Sequence, residues 1–140
     1  MAIVAAVDAE QRPDPVVRVA RDLAEAFDEE LVVLHVMPEG EFERRRKDRE
    51  YYADDAASDA GRTARWVAQG TVEDDDGVVV EGRMGEPVEA ILEEAEKLDA
   101  RFLVVGGRRR TPVGKAVFGS VTQSVLLDAD RPVVTVMNTE

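Results

Sequence analysis

Strand-type apolar runs and helix-type amphipathic stretches alternate along the whole of this chain, and that alternation leaves few folds open to it. Ala2 to Val7 is a continuous apolar run ending at Asp8, the pattern of a strand covered on both faces. Val16, Val17, Ala20, Leu23, Ala24 and Phe27 then recur at helical spacing, with Pro13 and Pro15 near the start. Leu31 to Met37 is a second strand stopped by Pro38. Glu41 to Ala68 reads as one long, mostly polar helix, and Gly77 to Gly82 as a third strand. Pro87 to Leu98 places Val88, Ile91, Leu92 and Ala95 on one helix face. Phe102 to Gly106 is a fourth strand, Gly119 to Leu127 a short helix, and Pro132 to Met137 a fifth strand. Strands that alternate with helices make a parallel sheet through right-handed crossovers, so the expectation is a three-layer α/β/α domain. At 140 residues, 44% of them apolar, residues 1–140 form a single domain with enough chain for a full core.

The stretch from Phe102 to Ser124 carries the chemistry. A buried strand ends at Gly106 and Gly107, the cationic residues Arg108, Arg109, Arg110 and Lys115 follow, and Gly119-Ser120 opens a helix. Glycines let backbone N–H groups approach an anion, a helix start offers unpaired donors, and Arg and Lys supply charge; together these hold phosphate. Each element also has a plainer use. Gly106-Gly107 suits a tight strand-to-loop turn, Gly119-Ser120 suits helix initiation with Ser as the cap, and a basic run is often a solvated face.

This segment resembles the nucleotide-binding loop of the universal stress protein family, Gly-x2-Gly-x9-Gly-Ser/Thr. Gly106 is the first glycine, Arg110 to Phe118 the nine-residue spacer, and Gly119-Ser120 the closing pair, while Arg109 stands at the second glycine position. The resemblance spans essentially the whole chain. It implies a doubly wound five-stranded parallel sheet of order 3-2-1-4-5, the adenine-nucleotide α-hydrolase-like arrangement. In that order Asp8 and Gly106 flank the crevice where the sheet reverses, the place where open α/β sheets bind ligands.

The resemblance further implies ATP as the ligand, with Mg2+ accompanying it. Asp8 would contact adenine by accepting from its exocyclic amine, although a helix cap or solvated strand end explains it too, and Ala9-Glu10 departs from the family's Asp-x-Ser. Val36 matches a base-contacting position and equally a core strand position. Gly85, before the helix start at Glu86-Pro87, would approach ribose or phosphate or simply make the turn. Gly106, Gly107, Gly119 and Ser120 would cradle the β- and γ-phosphates. For Arg109 two outcomes stay open. A backbone that needs φ > 0 would cost an arginine about 1 kcal/mol and narrow the site. A side chain folded over the phosphates would instead give a bidentate grip. The first outcome makes the chain a nucleotide-independent interaction module of the same fold.

Charge and composition bound the rest. The net charge is −12, with 30 acidic against 18 basic residues, and three lysines (Lys47, Lys97, Lys115) against fifteen arginines. A surface so acidic and poor in lysine looks like that of a protein from a high-salt cytoplasm, as in a halophilic archaeon. The same field repels nucleic acid. Without cysteine there is no thiolate metal site or disulfide framework. No apolar run approaches membrane-spanning length, and the chain enters a strand at Ala2 without a charged leader, so a cytoplasmic location is expected. His35 is the only histidine and reads as a structural strand residue. No Ser/His/Asp, Cys/His or P-loop constellation emerges, so binding is expected rather than turnover, with slow ATP hydrolysis as the most that water and a divalent ion would support. Family resemblance implies a homodimer through the fifth strand, and the apolar alternation of that edge gives an independent reason.

Overall fold

Why Ala2 to Val7 forms the central strand is visible in its burial: Ile3, Val4 and Ala5 have no exposed surface, as a strand with layers on both faces requires. The structure, a computed structural model, describes residues 1–74, 77–107 and 118–137. In chain order the elements are β1 (Ala2–Val7), α1 (Pro15–Phe27), β2 (Glu30–Pro38), α2 (Glu39–Arg46), α3 (Ala53–Thr71), β3 (Val78–Gly85), α4 (Pro87–Lys97), β4 (Ala100–Gly107), α5 (Ser120–Asp128) and β5 (Val133–Met137). The five strands form one sheet in the order β3-β2-β1-β4-β5, and each neighbouring pair is parallel. This is the order that the family resemblance implies.

Successive strand residues face opposite layers. Ile3, Ala5 and Val7 of β1, with Leu31 and Val33 of β2, pack on Val17 and Ala20 of α1 and on Ala64, Val67 and Ala68 of α3. Ala2 and Val4, with Val32, Leu34 and Leu103, pack on Ala90, Ile91 and Ala95 of α4 and Val125 of α5. Each fully buried Val, Leu or Ile contributes about 1.5–3 kcal/mol by leaving water. The switch of helices from one layer to the other falls between β3 and α4, which makes the β1–β4 boundary the topological switch point of the sheet.

Two elements differ from the sequence expectation. The polar stretch read as one helix from Glu41 to Ala68 is two, α2 and α3, separated at residues 47–52. Tyr51 is buried there; its ring lies 5.8 Å from that of Phe42, and its hydroxyl donates to Asp59. Asp55 Oδ2 accepts from the backbone N–H of Tyr52 at 2.9 Å and so starts α3 afresh. No glycine or proline marks this break. A tertiary contact of Tyr51 makes it.

The third strand continues past Gly82 to Gly85. Gly82 is not a terminator: a Cβ there would run into the backbone of Ala57 and Gly61 on α3, so the residue lets helix and strand approach closely. Beyond it Arg83, on the α4 layer, donates to Glu93 Oε1 at 2.7 Å and to the carbonyl of Ala90 at 3.3 Å.

Candidate functional site

Of the residues singled out from sequence, the carboxyl ends of β1 and β4 carry Asp8, Gly106 and Gly107. Asp8 follows β1 directly and is exposed. Its Oδ1 accepts from the backbone N–H of Glu10 at 3.0 Å, around Ala9, which sits in the left-handed region at φ 71°. This is a side-chain-closed turn in the place of the family's hydroxyl-bearing one. Val36 is buried on the α4 layer and lies one residue beyond the last β1–β2 pair, Val7 with His35. Gly85, at φ 149° with open space around it, shares this edge but pairs with Pro38 at the end of β3, two strand spacings (roughly 10 Å) from β1.

Gly106 and Gly107 close β4. A Cβ on Gly106 would lie 3.2 Å from Cγ2 of Val16, so the missing side chain lets the first turn of α1 pack near the strand end. A Cβ on Gly107 would run into the side chain of Met137 on β5. Gly119 is the N-cap of α5 at φ −66° and ψ 160°, ordinary extended backbone, and its carbonyl accepts from the N–H of Gln123 at 3.0 Å. Ser120 is therefore the first helical residue rather than the cap, and it is exposed. Thr122, one turn in, donates its hydroxyl to the carbonyl of Gly106 at 2.6 Å, which joins β4 to α5 across the segment between them. Arg109, with Arg108, Arg110, Lys115 and the Thr111–Gly114 stretch, lies outside the described residues, as do Asp75 and Asp76 of the acidic turn.

The helix starts differ in what already fills them. Asp14 caps α1 by accepting from Val16 N–H at 2.9 Å, and Glu86 caps α4 by accepting from Val88 and Glu89. α2 carries Glu39 and Glu41 in its first turn, and α3 carries Asp54 and Asp55. Among the described residues, α5 is the one of these five helices with neither a side-chain cap nor an acidic residue in its first turn. A helix start presents N–H groups and a positive dipole end that suit an anion.

The β1 side has the opposite polarity. Asp14 is 2% exposed; burial raises its pKa above the ordinary value, the Val16 hydrogen bond opposes this, and the charge of Asp8 adds to it. Its backbone N–H donates to Thr71 Oγ1 at 2.9 Å, which ties the β1–α1 loop to α3. Among the described residues, the carboxylates of Asp8 and Asp14 follow β1, and the start of α5 carries no carboxylate in its first turn. A base amine suits the first and a phosphate suits the second.

Asp14, Thr122 and the His35 contact described below were not among the residues singled out from sequence. The Asp14-Pro15 pair, a capping residue before Pro at the first helical position, is a legible signal for the first. The other two depend on tertiary contacts. Two shallow depressions, of about 300 and 230 Å3, lie elsewhere, lined by residues such as Arg45, Tyr51, Asp59, Arg62 and Trp66 and by none from β1, β4 or α5. No helix among the described residues is long and apolar enough to cross a membrane.

Comparison with known proteins places the whole arrangement. The universal stress protein family matches residues 1–137. A universal stress protein of Mycolicibacterium smegmatis is 40% identical over 89 residues, which cover 57% of this chain and 68% of that protein. Among solved structures, a universal stress protein from Archaeoglobus fulgidus superposes with a TM-score of 0.67 at 31% identity, covering 96% of this chain and 97% of its own. A universal stress protein from the same organism in complex with dAMP superposes with a TM-score of 0.58 at 26% identity, covering 96% of each chain. With the β3-β2-β1-β4-β5 sheet and the Gly106…Gly119-Ser120 spacing, these matches show that the chain belongs to the universal stress protein family.

Proposed function

We propose that this chain is a regulatory, stress-response protein that binds adenine nucleotide, ATP with Mg2+, in the crevice between β1 and β4. The observation that carries the reading is the N-terminus of α5, which among the described residues has no capping side chain or carboxylate while the other four helix starts hold one. Adenine lies against Asp8 and Val36, with the exocyclic amine donating to the carboxylate. The phosphates lie on the backbone of Gly106, Gly107 and Gly119 and on the Ser120 hydroxyl, with Gly85 at the ribose side; Arg109, the remaining cofactor-binding residue of this reading, lies outside the described residues. The dAMP complex of the Archaeoglobus fulgidus relative supports an adenine nucleotide as the ligand class.

The nucleotide regulates rather than turns over in this reading, and any hydrolysis is slow. Assembly is a homodimer through β5, a sheet edge whose five residues, Val133 to Met137, are all half-buried and carry no charge. The acidic, lysine-poor composition suits a cytoplasm rich in salt. Heat on titrating ATP and Mg2+ into nucleotide-stripped protein tests the binding. Absence of heat and of any thermal shift would favour a nucleotide-independent interaction module instead. Gel filtration in molar KCl tests the dimer, and a monomer mass would rule it out.

A further inference from the structure

The chain's single histidine makes a contact that plain strand packing does not require. His35 lies on β2 opposite Val7 of β1, in the last pair of the β1–β2 ladder, and it remains partly exposed. Its Nδ1 stands 2.8 Å from the carbonyl oxygen of Val7. A carbonyl only accepts, so Nδ1 carries the proton and donates. The bond therefore holds the peptide that joins Val7 to Asp8.

That peptide is trans and planar, so its carbonyl and its N–H point in opposite directions. β2 and β4 flank β1 on opposite sides. With the Val7 carbonyl drawn toward β2, the N–H of Asp8 is turned toward β4, the side of the crevice. The Asp8 side chain is held separately, since Oδ1 accepts from the backbone N–H of Glu10, and the carboxylate keeps further acceptor sites for another donor. Two local contacts, one on the backbone and one on the side chain, thus set how Asp8 is presented.

We propose that His35 is a positioning residue for the nucleotide site, acting through the Val7 carbonyl to orient Asp8 toward adenine. The role rests on the adenine-nucleotide reading of the crevice. It differs from simple core filling in a way that substitution can separate. An Asn amide nitrogen stands the same number of bonds from Cα as Nδ1 of histidine, whereas a Gln amide nitrogen matches Nε2. Leu and Gln fill more of the histidine's volume than Asn does. Packing alone would therefore rank Asn as the worst replacement, and positioning ranks it as the best.

The experiment is ATP calorimetry on wild type, His35→Asn, His35→Gln and His35→Leu, with amide NMR spectra of the nucleotide-free proteins. Losing one oriented hydrogen bond, of the order of 1 kcal/mol, weakens ATP binding about fivefold in the Gln and Leu proteins, while Asn stays within about twofold of wild type. The Asp8 and Glu10 amide resonances move in the Gln and Leu proteins and hold in Asn. A His35→Leu protein that binds ATP like wild type, or an unmoved Asp8 amide, overturns the role of His35. Failure of wild type itself to take up ATP overturns the nucleotide reading, and with it any nucleotide role of His35, while the amide shifts still report whether His35 orients the Asp8 peptide.

Discussion

Thr122 on the first turn of α5 donates its hydroxyl to the carbonyl of Gly106 at the end of β4, at 2.6 Å. Sixteen positions apart in sequence, the two residues bracket the basic segment, and their bond fixes where it leaves the sheet and where it enters the helix. Thr122 is itself buried, at 9% exposure. Replacing it with Val keeps the shape and leaves the Gly106 carbonyl without this partner, at a cost of about 1–3 kcal/mol. Thr122→Val should thus lower the denaturation midpoint and weaken ATP binding, and Thr122→Ser should restore much of both. Urea unfolding beside calorimetry checks the pair.

A carboxylate placed at the start of α5 should separate stability from binding. Gly119 has ordinary extended φ and ψ, so Asp adopts that backbone without strain and can cap the N–H groups of the first turn. Gly119→Asp is expected to hold or raise stability by a few tenths of a kcal/mol. It should lower ATP affinity by about tenfold or more, because the new charge occupies the place of the phosphate. Equal ATP affinity in this variant would show that the phosphates lie elsewhere.

Asp14 gives the crevice a pH signature. Burial raises its pKa above 3.8 in the folded chain, with a further contribution from Asp8. The folded state then holds this proton to higher pH than the unfolded state does. Stability from this group is present at low pH and falls as pH rises from 3.8 through the folded value. Asp8→Asn removes the neighbouring charge and should move the Asp14 titration downward, as read from its carboxyl carbon by NMR. An Asp14 that titrates at the ordinary value, or is unmoved in Asp8→Asn, would contradict the coupling.

Gly82 tests how α3 sits on β3. Its absent Cβ would meet backbone atoms of Ala57 and Gly61, which have no rotamer to change. Gly82→Ala should therefore cost about 1–3 kcal/mol as helix and strand move apart. Gly77→Ala should act through its φ of 84° rather than through any clash, since nothing lies near its Cβ. Chemical denaturation of both variants, with far-UV spectra to confirm retained helix, distinguishes the two causes.

The sequence carried the fold because its strands are short and continuously apolar, and β1, β2 and β4 fall within one or two residues of their expected ends. Periodicity failed where a tertiary contact decided the outcome. The Glu41–Ala68 stretch has helical polarity throughout, and only the burial of Tyr51 against Phe42 and Asp59 breaks it. Gly82 looked like a strand end because a glycine required by a neighbouring helix and a glycine required by a turn are the same letter. At the candidate site, spacing singled out Gly106, Gly119 and Ser120. Two contacts near these strand ends, Thr122 with Gly106 and His35 with Val7, join residues 16 and 28 positions apart and leave no local pattern.

The central claim is that the crevice between β1 and β4 holds adenine nucleotide by base and phosphates together. Calorimetric titration of ATP with Mg2+ into nucleotide-stripped protein at high KCl, beside AMP, tests it most directly. Micromolar binding of ATP, weaker for AMP, is the expected result, since AMP keeps the Asp8 contact and loses the β- and γ-phosphates. No heat and no stability shift with either nucleotide would contradict the claim.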